Sequence, residues 1–102
     1  MDPAAAHVEA FNHAVATGDW DTFAARFAED AVMSFPGLPI GPYDGRAAIA
    51  RAYRDSPPTE PMTILSSADG WVRFRWSSGA TGIMQLTWSP AAQVAGLAVY
   101  FD

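Results

Sequence analysis

The segment 18–53 constrains the fold of this chain most, because it contains the end of one helix and the start of two others. Gly18 can adopt the left-handed conformation that ends a helix, and Asp19 can accept the free N–H groups of the next one. Apolar residues then recur at i, i+3, i+4 and i+7 from Trp20 to Phe27. This spacing predicts a second helix with one face towards a core.

The second half of the same segment predicts a strand and a third helix. Residues 31–35 form a short, mostly apolar run that is typical of a strand. The prolines and glycines of residues 36–42 exclude regular structure there. Asp44 is then predicted to cap a third helix, in which Ile49 and Tyr53 share one face.

The rest of the chain predicts a first helix and four more strands. The first helix is expected from Pro3 to about Thr17, with Asp2 as its N-cap. A proline-rich connector at 56–61 follows the third helix. Turn sequences then separate strands expected at 62–68, 71–77, 80–88 and 93–101. In the strand at 71–77, period-two alternation puts Val72, Phe74 and Trp76 on one face and Arg73 and Arg75 on the other.

Composition indicates one folded domain over residues 1–102. Half of the residues are apolar and 13% are aromatic, yet no apolar run approaches the roughly 20 residues of a membrane span. The chain has no cysteine, which excludes disulfides and thiolate metal sites. Residues 1–6 lack the basic and apolar parts of a signal peptide, so we expect a cytoplasmic protein.

The charge of the chain argues against nucleic acid as a partner. The formal net charge is −5, and the six basic residues are all arginine. A phosphate backbone would be repelled overall, and no basic run offers a local exception.

The order and spacing of several motifs resemble the nuclear transport factor 2-like superfamily, which includes ketosteroid isomerases and SnoaL-like, polyketide-cyclase-like proteins. The motifs are Gly18-Asp19, the apolar helix at 20–27, Glu29-Asp30-Ala31-Val32 leading into a strand, and residues 44–49 opening the third helix. The resemblance implies an α+β fold, in which three helices of the N-terminal half cover the concave face of a cone-shaped, curved antiparallel sheet. It also implies a homodimer through the outer face of the sheet, covering apolar residues such as Trp88 or Tyr100.

The resemblance also identifies the positions at which catalytic residues would lie. Ketosteroid isomerases move a proton beside a carbonyl with one aspartate, while a tyrosine and a neutral aspartic acid donate hydrogen bonds to the enolate. The matching positions here carry Phe11 for the tyrosine, Phe35 for the base and Met84 for the neutral acid. None of these three side chains can transfer a proton.

Tyr53 and His7 are the remaining candidate catalytic residues. Tyr53 matches a family tyrosine that supports the enolate-binding network, and it is either a substrate-facing donor or an aromatic core residue. His7 borders the apolar stripe of the first helix and is either a base at the cavity mouth or a surface histidine. Asp19 and Asp44 are explained as helix caps. No His, Asp and Glu set has metal-site spacing, and we expect no metal or organic cofactor.

The family geometry implies a pocket whose lining binds a small apolar or aromatic molecule by burial. Its expected lining residues are Phe11, Phe35, Tyr53, Phe74, Met84, Leu97 and Val99. Three functions remain open at this point. The chain is an isomerase or lyase-like cyclase acting on a small carbonyl compound, a non-catalytic ligand-binding module, or a dimeric structural domain whose core is filled by side chains.

Overall fold

The structure, a computed structural model, describes residues 2–102. Its elements in chain order are α1 Pro3–Thr17, α2 Trp20–Ala24, β1 Phe27–Ser34, β2 Tyr43–Asp44, α3 Arg46–Asp55, β3 Met62–Ala68, β4 Trp71–Trp76, β5 Thr81–Trp88 and β6 Val94–Phe101. The strands form one curved sheet in the order β2-β1-β6-β5-β4-β3. The helices pack against its inner face, which confirms the predicted α+β class.

Two helix starts follow from local signals in the sequence. The carboxylate of Asp2 accepts a hydrogen bond of 3.3 Å from the Ala5 N–H, and Gly18 ends α1 with a φ of 79°. Asp19 accepts hydrogen bonds from the Thr22 N–H and hydroxyl at 3.2 and 2.6 Å. These bonds confirm Asp2 and Asp19 as caps.

Two other predictions in this part of the chain are wrong. α2 ends at Ala24, and Phe27 instead begins β1, where its side chain is completely buried. The helical spacing misleads because Phe27 reaches the same core from a strand. Asp44 belongs to β2, and Gly45, with a φ of 92°, occupies the N-cap of α3 without a side-chain bond.

The sheet is antiparallel except for one pair of strands. β3 to β6 form the predicted antiparallel meander. β1 pairs with β6 in parallel, which differs from the predicted fully antiparallel sheet. This pairing is possible because the connection between the two strands contains α3 and strands β3 to β5, far more than the dozen or so residues a parallel crossover requires.

Alternation along β4 separates the two faces of the sheet as predicted. Val72 and Phe74 are buried on the inner face, whereas Arg73 and Arg75 are exposed on the outer face. Gly82 of β5 makes room for the Phe74 ring, because a Cβ there would lie 2.8 Å from its Cζ. Phe74 is thereby held over the middle of the inner face.

The helical layer is organised around Phe23 of α2. Its side chain is 2% exposed, and its ring centroid lies 5.2–5.9 Å from those of five neighbours. The neighbouring rings belong to His7, Phe11, Trp20, Phe27 and Tyr53. Within residues 2–102, no helix has the length and apolar character needed to cross a membrane.

Candidate functional site

A cavity of about 270 Å³ lies between the helices and the inner face of the sheet. The structure brings together on its wall all seven side chains expected from the sequence, namely Phe11, Phe35, Tyr53, Phe74, Met84, Leu97 and Val99. The other residues on the wall are His7, Pro58, Met62, Trp76 and Phe101. Sequence reasoning missed Met62, Trp76 and Phe101, although each lies two residues from an inward-facing position in its strand.

The wall residues differ in exposure, which gives the cavity a closed end and an open end. His7 and Phe74 are 2% and 0% exposed, whereas Phe101, at the end of β6, is 48% exposed. The ring of Phe101 stacks on that of Phe35 with centroids 6.3 Å apart and planes 1° from parallel. This aromatic pair lies at the open end.

Asn12 fixes α1 over the cavity. Its side-chain amide donates a 2.9 Å hydrogen bond to the Met62 carbonyl, and its Oδ1 accepts one of 2.8 Å from the Met62 N–H. Both bonds join α1 to the first residue of β3. They hold His7 and Phe11, on the inner face of α1, above the sheet.

The wall of the cavity is almost entirely apolar. None of its residues is an aspartate, glutamate, lysine or arginine. The family positions for the proton-transfer residues, Phe11, Phe35 and Met84, all lie on the wall as apolar side chains. The polar groups that remain are the imidazole of His7, the hydroxyl of Tyr53 and the indole N–H of Trp76.

His7 lies neither at the cavity mouth nor on the surface, so both placements expected from the sequence are wrong. Its ring packs against Phe23 and Phe27, with centroids 5.3 and 5.9 Å away. Burial, and to a lesser extent the positive charge of Arg26, lowers the pKa of His7 from 6.5 to about 4. Its Nδ1 is buried and has no hydrogen-bond partner within residues 2–102. The ring is therefore neutral at pH 7, with one polar atom unsatisfied.

Tyr53 has features of both a core aromatic and a donor. Its ring stacks on Trp20, with centroids 5.0 Å apart and planes 4° from parallel, and meets Phe23 edge-on. Burial raises the pKa of the Tyr53 hydroxyl, so this group stays protonated. None of the side-chain hydrogen bonds among the described residues involves it. The hydroxyl can therefore donate a hydrogen bond to a guest in the cavity.

The match to known families extends over most of the chain. The sequence profile of the SnoaL-like domain matches residues 8–99. The chain belongs to the SnoaL-like domain family. This membership, together with the fold, confirms the resemblance to the nuclear transport factor 2-like superfamily. A search of curated protein sequences found no significant match.

Solved structures share the fold of this SnoaL-like chain. A SnoaL-like protein of unknown function from Burkholderia thailandensis has a TM-score of 0.77 and 16% identity, covering 100% of this chain and 97% of that one. A candidate isomerase from Bacillus subtilis has a TM-score of 0.74 and 19% identity, covering 99% of this chain and 87% of the other. At these identities the likeness concerns the fold alone.

The carboxylates of the SnoaL-like chain lie outside the cavity wall. The carboxylate of Asp102 accepts hydrogen bonds from Arg73, at 3.0 Å, and from the Thr81 hydroxyl. These bonds fasten the end of β6 beside Phe101. Within the part of the chain that the structure describes, no group of three His, Asp or Glu residues could hold a metal ion.

The outer face of the sheet carries exposed aromatic residues. Trp71 is 41% exposed and Tyr100 is 37% exposed, and their ring centroids are 6.1 Å apart. Val32, on the same face, is 39% exposed. Trp88, which was expected there with Tyr100, is instead half-buried against the core, because it lies two residues after the buried Leu86 and faces inward with it.

Proposed function

We propose that this SnoaL-like protein binds a small, uncharged, largely apolar molecule in the cavity. The observation that carries the proposal is the cavity of about 270 Å³ itself, whose wall is almost entirely apolar. The open volume of the cavity also argues against the alternative of a structural domain with a filled core.

The cavity limits the size and charge of the ligand. An apolar cavity of about 150 Å³ holds benzene, so one of about 270 Å³ accommodates about ten non-hydrogen atoms. This is the size of a fused bicyclic compound. An ionised ligand is disfavoured, because no charged side chain lines the wall to replace the water that such a ligand loses.

A titration with 1-tetralone, an uncharged bicyclic ketone, tests the proposal. We expect saturable quenching of tryptophan fluorescence, because Trp76 lies on the wall. A ligand of this size gains on the order of 0.6 kcal/mol per atom, which corresponds to a Kd of roughly 10⁻⁵ to 10⁻⁴ M. Val99→Phe fills part of the cavity and should abolish binding.

Val32→Phe supplies the matched control, since it makes the same substitution on the outer face of the sheet. This variant should bind 1-tetralone as the wild type does. Undiminished binding by Val99→Phe, or no binding by the wild type, would count against the cavity as the site.

Proton transfer on the bound ketone is the second candidate function. It is favoured by the presence of a neutral base, His7, and a protonated donor, Tyr53, on one wall. A pKa of about 4 for His7 is close to the value of about 4.6 for the aspartate base of ketosteroid isomerase. In this mechanism His7 takes a proton from the carbon beside the carbonyl, Tyr53 donates a hydrogen bond to the enolate oxygen, and the proton then returns to carbon.

The same ketone in deuterated buffer distinguishes catalysis from binding alone. A catalytic chain should exchange the protons beside the carbonyl faster than buffer does, and both His7→Phe and Tyr53→Phe should slow this exchange at least tenfold. Binding without exchange would identify a non-catalytic ligand-binding module.

We also propose that two copies associate through the outer face of the sheet. The proposal is supported by the exposed apolar residues Trp71, Tyr100 and Val32 on this face. A stable interface buries about 800 Å² on each partner, within reach of a sheet face of this size. In sedimentation equilibrium, the wild type and Leu38→Glu, a substitution at an exposed loop residue, should be dimers, and Trp71→Glu a monomer. A wild type that stays monomeric at high concentration would refute this proposal.

A further inference from the structure

We infer that Phe101 sets the upper size limit of the ligand, because its ring closes the open end of the cavity. Phe35 is its partner in this closure, and Asp102 is the positioning residue that holds the ring in place. The inference rests on the proposed function, because it assumes that the cavity takes a small ligand. It adds the residue that limits this ligand to the size of a fused bicyclic compound.

Phe101 lies at the outer limit of the cavity wall. The side chains of Leu97, Val99 and Phe101 line the cavity from the inner face of β6. Their exposure increases along the strand, since Leu97 is 4% exposed, Val99 is half-buried and Phe101 is 48% exposed. Two-residue steps along a strand cover about 7 Å each, which places Phe101 about 14 Å from Leu97. Phe101 is thus both a wall residue and a surface residue, as a group at the mouth must be.

The neighbouring strand has no side chain that could share this task. Gly82 of β5 pairs directly with Phe101 on one side and with Phe74 of β4 on the other. The space above Gly82 is taken by the Phe74 ring, since a Cβ there would lie 2.8 Å from the Cζ of Phe74. Phe74 itself is completely buried. In this part of the sheet the boundary between cavity and solvent is therefore formed by Phe101.

Phe35 completes the closure of the mouth. Its ring stacks on that of Phe101, with centroids 6.3 Å apart and planes 1° from parallel. Tyr43 of β2 meets the Phe35 ring edge-on, at a centroid distance of 6.4 Å, and so helps to fix its orientation. A ligand that is too long for the cavity would have to separate the two stacked rings. This separation loses their contact and exposes more apolar surface to water.

Asp102 holds Phe101 in place through bonds on the outer face of the sheet. Its carboxylate accepts a 3.0 Å hydrogen bond from Arg73 of β4 and another from the Thr81 hydroxyl of β5. The N–H of Asp102 also donates to the Thr81 carbonyl, at 3.3 Å. The backbone directly after Phe101 is thus tied to two other strands. Fraying of β6, which would carry the ring away from the mouth, is opposed by all three bonds.

Equilibrium dialysis with two uncharged ketones tests the inference. Dihydroanthracen-1-one is 1-tetralone with one more benzene ring fused in line, and the wild type should bind it more weakly than 1-tetralone. Phe101→Ala should bind dihydroanthracen-1-one about tenfold more tightly than the wild type does, because the added ring takes the place of the Phe101 ring against Phe35. Its affinity for 1-tetralone should change by less than about threefold, since the smaller ketone does not need the vacated space.

Leu65→Ala is the control for the truncation. Leu65 is an exposed apolar residue of β3 that does not belong to the cavity wall. This variant should bind both ketones as the wild type does.

A second variant, Asp102→Ala, keeps the Phe101 ring and removes its support. It should bind dihydroanthracen-1-one about threefold more tightly than the wild type, in keeping with the small energies of exposed ion pairs. Both ketones are uncharged, so the loss of the carboxylate charge does not itself alter their binding. If Asp102 had a purely structural role, the variant would lose stability and keep the wild-type ratio of the two affinities. Asp30→Ala removes an exposed carboxylate of β1 and should keep this ratio.

The outcomes separate this inference from the proposed function. The inference is overturned if the wild type binds the two ketones equally, or if folded Phe101→Ala gains no affinity for dihydroanthracen-1-one. It is also overturned if Leu65→Ala gains as much as Phe101→Ala, or if Asp102→Ala keeps the wild-type ratio. Binding of 1-tetralone in any of these cases would leave the cavity as the ligand site. If neither ketone binds to the wild type or to Phe101→Ala, the proposed function itself is wrong.

Discussion

Replacing Phe23 by alanine is expected to lower the free energy of unfolding by about 3–5 kcal/mol. Phe23 is 2% exposed and lies at the centre of five aromatic rings from α1, α2, β1 and α3. Truncation removes the contacts with all five rings and leaves a void that these rigid side chains cannot close. Since small domains are stable by only about 5–15 kcal/mol, this loss is a large fraction of the total. Urea unfolding followed by circular dichroism measures it.

A substitution at an exposed apolar residue provides the control. Leu38 lies in the loop between β1 and β2 and is 42% exposed, so Leu38→Ala should change the free energy of unfolding by no more than about 0.5 kcal/mol. If Phe23→Ala lost less than about 1 kcal/mol, Phe23 would not be the packing centre of the helical layer. That result would also mean that Phe23 does not hold the rings of His7 and Tyr53 in place, although both rings contact it.

Acidification from pH 6.5 to pH 4 is expected to remove about 3 kcal/mol of stability through His7 alone. The pKa of His7 is about 4 in the folded chain and 6.5 in the unfolded chain. Between these values the unfolded chain binds a proton that the folded chain does not, so stability falls as the pH falls. The contribution is fully present above pH 6.5, is lost progressively down to pH 4 and is constant below it. Each pKa unit corresponds to about 1.4 kcal/mol.

Urea unfolding at a series of pH values measures this loss in the wild type and in His7→Phe. The pH-dependent difference in stability between the two should develop between pH 6.5 and pH 4. Asp19 and Glu60, whose pKa values are lowered by hydrogen bonds from Thr22 and Ser78, contribute equally to both proteins. His13→Phe should follow the wild type. Parallel curves for the wild type and His7→Phe would mean that His7 titrates normally and is not buried.

The helix ends, the meander and much of the cavity wall could be predicted from the sequence because each depends on local chemistry. Asp2 and Asp19 cap helices through their own side chains, and Gly18 supplies a backbone conformation that few other residues adopt. Period-two alternation then assigns Phe74 and Met84 to the inner face of the sheet. These signals need only neighbouring residues.

Features that depend on distant contacts could not be predicted. Phe27 satisfies a helical spacing, but its backbone lies in β1 opposite Val94, a partner far along the chain. Val94 and Leu97 are both buried although they are three residues apart, because the pairing of β5 with β6 has a bulge between them. These positions follow from the register of the sheet, which no local pattern specifies.

The position of His7 was missed for a different reason. His7 lies within the inner stripe of α1, which also contains Ala4, Val8 and Phe11, all of them buried. A polar residue at such a position is normally assigned to the edge of the stripe, because burying it without a partner is costly. The departure from that rule is what distinguishes the closed end of the cavity. A role of the His7 imidazole in binding or catalysis would explain why the chain buries a polar side chain there.

A crystal structure of the protein with bound 1-tetralone tests the central claim most directly. We expect electron density for the ketone between α1 and the inner face of β6, with its ring against Phe74 and its oxygen within hydrogen-bond distance of the Tyr53 hydroxyl. Density for the ketone only on the outer surface, with the helices packed onto the sheet and no space between them, would contradict it.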